Sequence, residues 1–371
     1  MSRTSKNIDW WEPQVGEEER ELLNQVLDSN FLNDGEYTTQ FEQKLAKLLG
    51  CKHAVAVTSG TSALFLALVA NGIGHGDEVI VPDITFIATA NAVSMAGAKP
   101  VLVDVDPHTL NLSPAEFLKA ITPKTKAVIP VHISGRPVDM PAVLEIAKNH
   151  GLHVIEDAAE ALLSKLKNKS LGTFGQAGIL SFSPNKTITT GQGGAILMDD
   201  DSLEVRLREL KDQGRPVRGT GGNDTHDQIG YNFKLTNLQA AIGIAQLDKL
   251  ATRTSRMQQN YLMYVEGLKD LEELTLLPFQ VDKGEIPQWV DALTPRRDEL
   301  VEYLQGCDIF CRSFWFPLHA HKPYRLPDDR FPNSTPLSAK AFWLPSSFSL
   351  SDADTEHVCN QIRKFFGKNQ L

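Results

Sequence analysis

Three clusters in this chain have residue types and spacing suited to chemistry on a bound small molecule. The first, Ser59-Gly60-Thr61-Ser62, stands between an apolar run ending at Val57 and an apolar helical stretch. Hydroxyls and free backbone N–H groups at a helix N-terminus hold an anion, and Gly60 lets the main chain approach a phosphate closely; alternatively the hydroxyls only cap the helix. The second, Glu156-Asp157, ends the apolar run His153–Ile155 and precedes Ala158-Ala159-Glu160. A carboxylate at a strand end can hold a protonated ring nitrogen, or it can cap the next helix. The third, Ser181-Phe182-Ser183-Pro184-Asn185-Lys186, presents one lysine on a polar loop that continues to Gly191-Gln192-Gly193-Gly194. Such a lysine is an imine-forming nucleophile when its surroundings lower its pKa, and an ordinary solvated charge otherwise. The glycine run is not a dinucleotide fingerprint, because it lacks the G-x-G-x-x-G spacing and precedes a strand instead of a helix.

These clusters need elements that bring them to one place. Short apolar runs at His53–Val57, Glu78–Val81, Pro100–Val105, Lys126–Val131, His153–Ile155, Gly178–Phe182 and Gly194–Met198 read as strands. Between them, Ser62–Asn71, Ala88–Met95, Pro114–Ile121 and Met140–Asn149 carry apolar residues at three- and four-residue intervals, as crossover helices do. The alternation predicts an α/β fold with a mostly parallel central sheet flanked by helices, and in such sheets ligands gather at the carboxyl ends of the strands. After residue 235 the texture changes to two long helices, Asn237–Leu250 and Met257–Leu271, then a proline-rich stretch of short strands and loops over Pro278–Pro332. His321–Ser338 reads as an ordered loop, and a closing helix is expected at Asp352–Phe366 with Ser351 as its N-cap. A large domain over residues 1–245, with an N-terminal arm, and a smaller C-terminal α+β domain over 246–371 follow.

The chain has 371 residues, 42% hydrophobic and 22% charged, so it can bury a substantial core. Its net charge of −9 and the absence of any basic run argue against nucleic acid as a partner. Cys51, Cys307, Cys311 and Cys359 are too few and too scattered for a disulfide framework, and no C-x-x-C pair suggests zinc or redox exchange. No metal is expected. No apolar run approaches a membrane span or a secretory leader, so a cytoplasmic location is expected.

Taken in order, the phosphate cradle, the aspartate and the lysine loop resemble the DegT/DnrJ/EryC1/StrS family of sugar aminotransferases, which are fold-type-I pyridoxal 5′-phosphate (PLP) enzymes. The resemblance runs through nearly the whole chain: Thr58–Leu64, Pro82-Asp-Ile-Thr-Phe-Ile-Ala-Thr-Ala-Asn91, Val131-His132 with Gly135, Ile155–Ala161, the lysine loop, and Gly230-Tyr-Asn-Phe233. It implies that Lys186 forms the internal aldimine with PLP and then shuttles the proton, with pyridoxamine phosphate as the intermediate form of the cofactor. It implies that Asp157 partners the pyridinium nitrogen, that Phe86 stacks on the ring, and that Glu160 lies near the ring oxygen. Gly60, Thr61, Ser62 and Ser181 are then phosphate ligands. Asn232 matches a residue that reaches the phosphate from a neighbouring subunit, which implies a homodimer with shared active sites.

The strings Asn185–Gly191 and Thr236–Gly243, followed by Ala245-Gln-Leu247, are similar to the branch that includes GDP-perosamine synthases. That similarity implies transfer of the amino group of L-glutamate, released as 2-oxoglutarate, to the C4 ketone of a nucleotide-linked 4-keto-6-deoxyhexose. Arg312 and His319 fall in the region that contributes to the nucleotide-sugar site of relatives, although His319 reads equally well as an ordinary loop histidine. Amination at C3, PLP-dependent dehydration of a nucleotide keto sugar, and a non-catalytic PLP- or sugar-nucleotide-binding regulator are the alternatives. Dehydratases of the family carry His at the lysine position, where this chain has Lys186.

Overall fold

A computed structural model describes residues 7–216 and 224–369. Its strands are β1 (His53–Val57), β2 (Glu78–Pro82), β3 (Lys99–Val103), β4 (Thr125–Val128), β5 (His153–Asp157), β6 (Lys165–Leu166), β7 (Lys169–Ser170), β8 (Ala177–Ser181), β9 (Gly194–Met198), β10 (Thr275–Leu276), β11 (Val290–Leu293), β12 (Arg312–Ser313) and β13 (Ala341–Leu344). Seven of them form one sheet in the order β1-β9-β8-β5-β4-β2-β3. Every neighbouring pair is parallel except the two that involve β9, which runs antiparallel to β1 and to β8. β2, β8 and β9 are apolar along nearly their whole length, because helices cover both faces. The helix Gly60–Ala70 illustrates the cover: it is buried almost all round, packed between the sheet and the helices Ala88–Met95 and Asp201–Lys211. The expected α/β architecture is therefore present, with the strands and crossover helices within a few residues of their expected limits.

Sheet register explains why the three chemical clusters meet. Gly194 pairs with both Val57 and Ser181, so the first residue of β9 lies between the last residues of β1 and β8. The Ser59–Ser62 turn and the lysine loop therefore leave the same edge of the sheet side by side. A side chain at Gly194 would place its Cβ 2.5 Å from the carbonyl carbon of Ser59, so only glycine allows this approach. One strand further on, Asp157 pairs with Ile179, and its main chain also bonds to Pro130 and His132 beyond β4.

The four short strands β10-β11-β13-β12 form a separate antiparallel sheet. Behind it stand the helices Leu250–Leu268 and Asp352–Phe365, whose apolar faces include Tyr264, Val358 and Ile362. The second of these begins at Ser351, whose hydroxyl accepts from Asp354 N, as the sequence pattern predicts. A buried knot ties this sheet to the large one. Asp291 on β11 takes Arg136 Nη2 at 2.6 Å on one oxygen, and Ser134 Oγ and Trp343 Nε1, each at 2.7 Å, on the other. Arg136 spends two further donors on the carbonyls of Pro278 and Thr109. Removing either charge would leave the other buried and unpaired, at a cost of about 3–5 kcal/mol.

Candidate active site

At the carboxyl edge of the large sheet lies a cleft of about 200 Å³. It is lined by Ser59, Gly60 and Thr61, by Ser181, Ser183 and Asn185, by Asp157, Glu160 and Lys186, and by Phe86, Arg312 and Trp315. Eight of the residues singled out in the sequence, Gly60, Thr61, Phe86, Asp157, Glu160, Ser181, Lys186 and Arg312, thus share one cavity.

Lys186 lies in the loop between β8 and β9, held at its backbone by a bond from its N to Ser183 O. Its Nζ is 3.9 Å from Glu160 Oε1 and 4.6 Å from the centre of the Trp289 ring. Burial pulls the ammonium pKa down; Glu160 and Asp157 oppose that shift, and Arg312 adds to it. A lysine in such surroundings has access to its neutral, nucleophilic form nearer physiological pH than a surface lysine does.

Asp157, the last residue of β5, is buried and its carboxyl pKa is raised by desolvation. Thr89 Oγ1 donates to its Oδ2 at 2.9 Å and Ala159 N to its Oδ1 at 3.2 Å, and both bonds favour the charged form. Glu160 is also buried, which pushes its pKa up to about 7 against the pull of Lys186 and of the Ser134 N–H. It accepts from Ser134 N at 2.8 Å and from Trp315 Nε1 at 3.2 Å. Arg312, on β12, lies over the rings of Trp10, Trp315 and Trp343, 4.7 to 5.6 Å from their centres; its pKa is lowered by burial and supported by Glu160.

Three sequence-derived candidates lie outside the cleft. Ser62 is spent on the helix start: its Oγ accepts from Ser59 N at 2.9 Å while Ser59 Oγ accepts from Ser62 N, a reciprocal cap, so the capping alternative holds for this residue. His319 is 1% exposed, with Nδ1 2.6 Å from Asp83 Oδ2 and its ring stacked on Phe331, which leaves it no face for a substrate. Asn232 is exposed and does not line the cavity of its own chain. Conversely, Thr85, Thr89 and Trp315 line the cavity without having been singled out, although both threonines lie inside the Pro82–Asn91 motif. Trp315 had no local signal, because only folding of the C-terminal segment carries it to Glu160.

The donor set suits a phosphorylated pyridine. A buried carboxylate that enters no ion pair among the described residues faces the cavity from the strand end, as a ring N–H⁺ needs. Ser59, Thr61 and Ser181 surround a helix N-terminus where Gly60 leaves the backbone open, as a phosphate needs. A desolvated lysine and an aromatic face complete the group.

A mostly parallel sheet with this constellation at its carboxyl edge is the architecture of an α/β enzyme. The DegT/DnrJ/EryC1/StrS aminotransferase family model matches residues 13–363, and the chain belongs to that family. Among curated proteins it is 38% identical over 355 residues to a GDP-perosamine synthase of Caulobacter vibrioides, covering 93% of this chain and 95% of that one. It is likewise 38% identical over 366 residues to a GDP-perosamine synthase of Escherichia coli O157:H7, covering 97% and 99% of the two chains. Among solved structures, DesV of S. venezuelae in complex with a ketimine intermediate superposes with a TM-score of 0.90 at 34% identity, over 95% of each chain.

Proposed function

We propose that this protein transfers the amino group of L-glutamate to the keto carbon, at C4, of a nucleotide-linked 4-keto-6-deoxyhexose, with PLP as cofactor. The observation that carries this reading is the desolvated Lys186 amine, 3.9 Å from the buried Glu160 carboxyl and sharing a cleft with the buried Asp157 carboxyl and a hydroxyl-rich helix N-terminus. Kinship with GDP-perosamine synthases supports the sugar-nucleotide side of the reaction. When bound, the cofactor would supply an electron sink for the pair left behind when a proton is removed next to nitrogen.

The chain's own residues do the rest. Ser59, Gly60, Thr61 and Ser181 would hold the phosphate, Phe86 would lie flat on the ring, and Asp157 would keep the ring nitrogen protonated. Lys186, whose pKa burial lowers, serves as covalent anchor and as the base that takes a proton from the amino donor and returns it in the reverse sense to the acceptor. Glu160, with its raised pKa, can hold or release a proton beside Lys186 near neutral pH, and the Trp315 and Ser134 N–H groups fix its orientation. Arg312 supplies a positive charge for the anionic portion of either substrate. Two copies sharing sites would bring Asn232 of one to the phosphate of the other; its exposure, together with Phe316 at 60% exposed, supports such pairing.

Borohydride reduction of the PLP-loaded protein, followed by peptide mapping, should place the cofactor on Lys186. Lys186→Ala should show neither the covalent label nor multiple turnover, and retained turnover in that variant would overturn the assignment.

A further inference from the structure

His319 and Asp83 lie outside the cleft, yet together they join two of its walls. Asp83 directly follows β2, three residues before Phe86, and is fully buried. Its Oδ1 accepts from His319 N at 2.8 Å; its Oδ2 accepts from His319 Nδ1 at 2.6 Å and from Ser334 Oγ at 2.5 Å; its carbonyl accepts from Leu318 N at 2.8 Å. The His319 ring is stacked on Phe331, with centroids 4.3 Å apart and planes 8° from parallel. Four residues before His319 stands Trp315, whose ring packs on Phe86 at 5.1 Å and donates to Glu160. The segment that carries Arg312 and Trp315 is thus bound to the strand end that carries Phe86 by the Asp83 carboxylate, beside the Leu318–Asp83 main-chain bond and the Trp315–Phe86 ring contact.

We infer that Asp83 and His319 are positioning residues of the aminotransferase, forming a buried tie that sets the Trp315–Arg312 wall against Phe86 and so governs substrate binding without holding the cofactor. This inference rests on the aminotransfer reading. The tie is short, fully buried and charge-assisted, the kind of bond that fixes a geometry instead of merely adding contact. None of its bonds reaches the lysine loop or the Ser59–Ser62 turn, so loosening it acts first on the Trp315–Arg312 wall. A displacement of about 1 Å at a substrate-positioning group costs up to roughly a hundredfold in efficiency.

Two substitutions separate position from bulk. In His319→Asn the side-chain amide N–H falls where Nδ1–H was, and the bond to Asp83 is kept; in His319→Gln the amide reaches the place of Nε2, and the bond is lost. Visible absorbance after dialysis would report cofactor retention, and single-turnover kinetics with L-glutamate would give KM and kcat for the first half reaction. Near-UV circular dichroism, with and without Trp315→Phe, would report the tryptophan wall. His319→Gln is expected to keep its cofactor and raise KM about tenfold or more with kcat within about threefold, while His319→Asn returns KM to within about threefold of wild type. Equal KM in the two variants, or cofactor loss in step with the change in KM, would overturn the inference. If wild-type protein ignores glutamate, the donor assignment fails separately, and the dichroism decides about the tie. A change in His319→Gln that disappears in the Trp315→Phe background supports it, and an unchanged spectrum refutes it.

Discussion

Replacing Glu160 by Gln should change how the stability of the cofactor-free protein depends on pH. Burial raises the Glu160 carboxyl from its ordinary 4.5 to about 7 in the folded state. The folded protein therefore binds this proton more tightly than the unfolded chain does, and the stability associated with it is lost as pH rises from about 4.5 through about 7. At about 1.36 kcal/mol per pH unit the whole window amounts to about 3 kcal/mol, most of it falling between pH 5 and pH 8. With an unfolding entropy of about 2.1 cal/mol/K per residue over 371 residues, that corresponds to roughly 3–4 °C in melting temperature. Lys186 acts in the opposite direction, because its lowered pKa makes the folded state gain stability as pH rises, and losing the Glu160 charge lowers that pKa further, which adds to the gain of the variant at higher pH. Differential scanning calorimetry at fixed protein concentration should show Glu160→Gln gaining about 3–4 °C on wild type between pH 5 and pH 8. Parallel melting profiles for the two proteins would refute the assignment of a desolvated, proton-holding carboxyl at this site.

Thr89→Val removes the hydroxyl that donates to Asp157 Oδ2 and lets burial push that carboxyl further up; the PLP dissociation constant should rise about tenfold to a hundredfold, and Thr89→Ser should restore it, as measured by fluorescence titration of the apoprotein. Asp291→Asn breaks the buried pair with Arg136 and should cost about 3–5 kcal/mol, visible as a lower urea midpoint at fixed protein concentration. Gly135→Ala should lower the melting temperature by an amount equivalent to 2 kcal/mol or more, roughly, because φ is 93° there and the new Cβ would lie 2.1 Å from Ile286 O.

Much of the large sheet was legible in the sequence, because its strands are short apolar runs and its helices carry clear three- and four-residue periodicity. The antiparallel course of β9 was not, since a single apolar run says nothing about its direction; yet that course brings Gly194 against Ser59 and Ser181 and assembles the hydroxyl-rich end of the cleft. That Lys186, Asp157 and Glu160 share the cleft was legible because each lies at or just past a strand end on the edge where ligands gather. Two candidates fall outside the cleft for one reason. Ser62 and His319 have the same residue types whether they face a ligand or a backbone, and only tertiary contacts decide which. Trp315 and Thr89 were missed for the complementary reason: their partners, Glu160 and Asp157, lie 155 and 68 positions away in the chain.

The most direct test of the account is the absorption spectrum of PLP-reconstituted protein before and after L-glutamate, with 2-oxoglutarate assayed in the same cuvette. The account predicts a visible band from the lysine-bound cofactor that is lost on adding glutamate, with one 2-oxoglutarate released per site. A band that ignores glutamate would contradict the donor, and no visible band after reconstitution would contradict the roles given to Lys186 and Asp157.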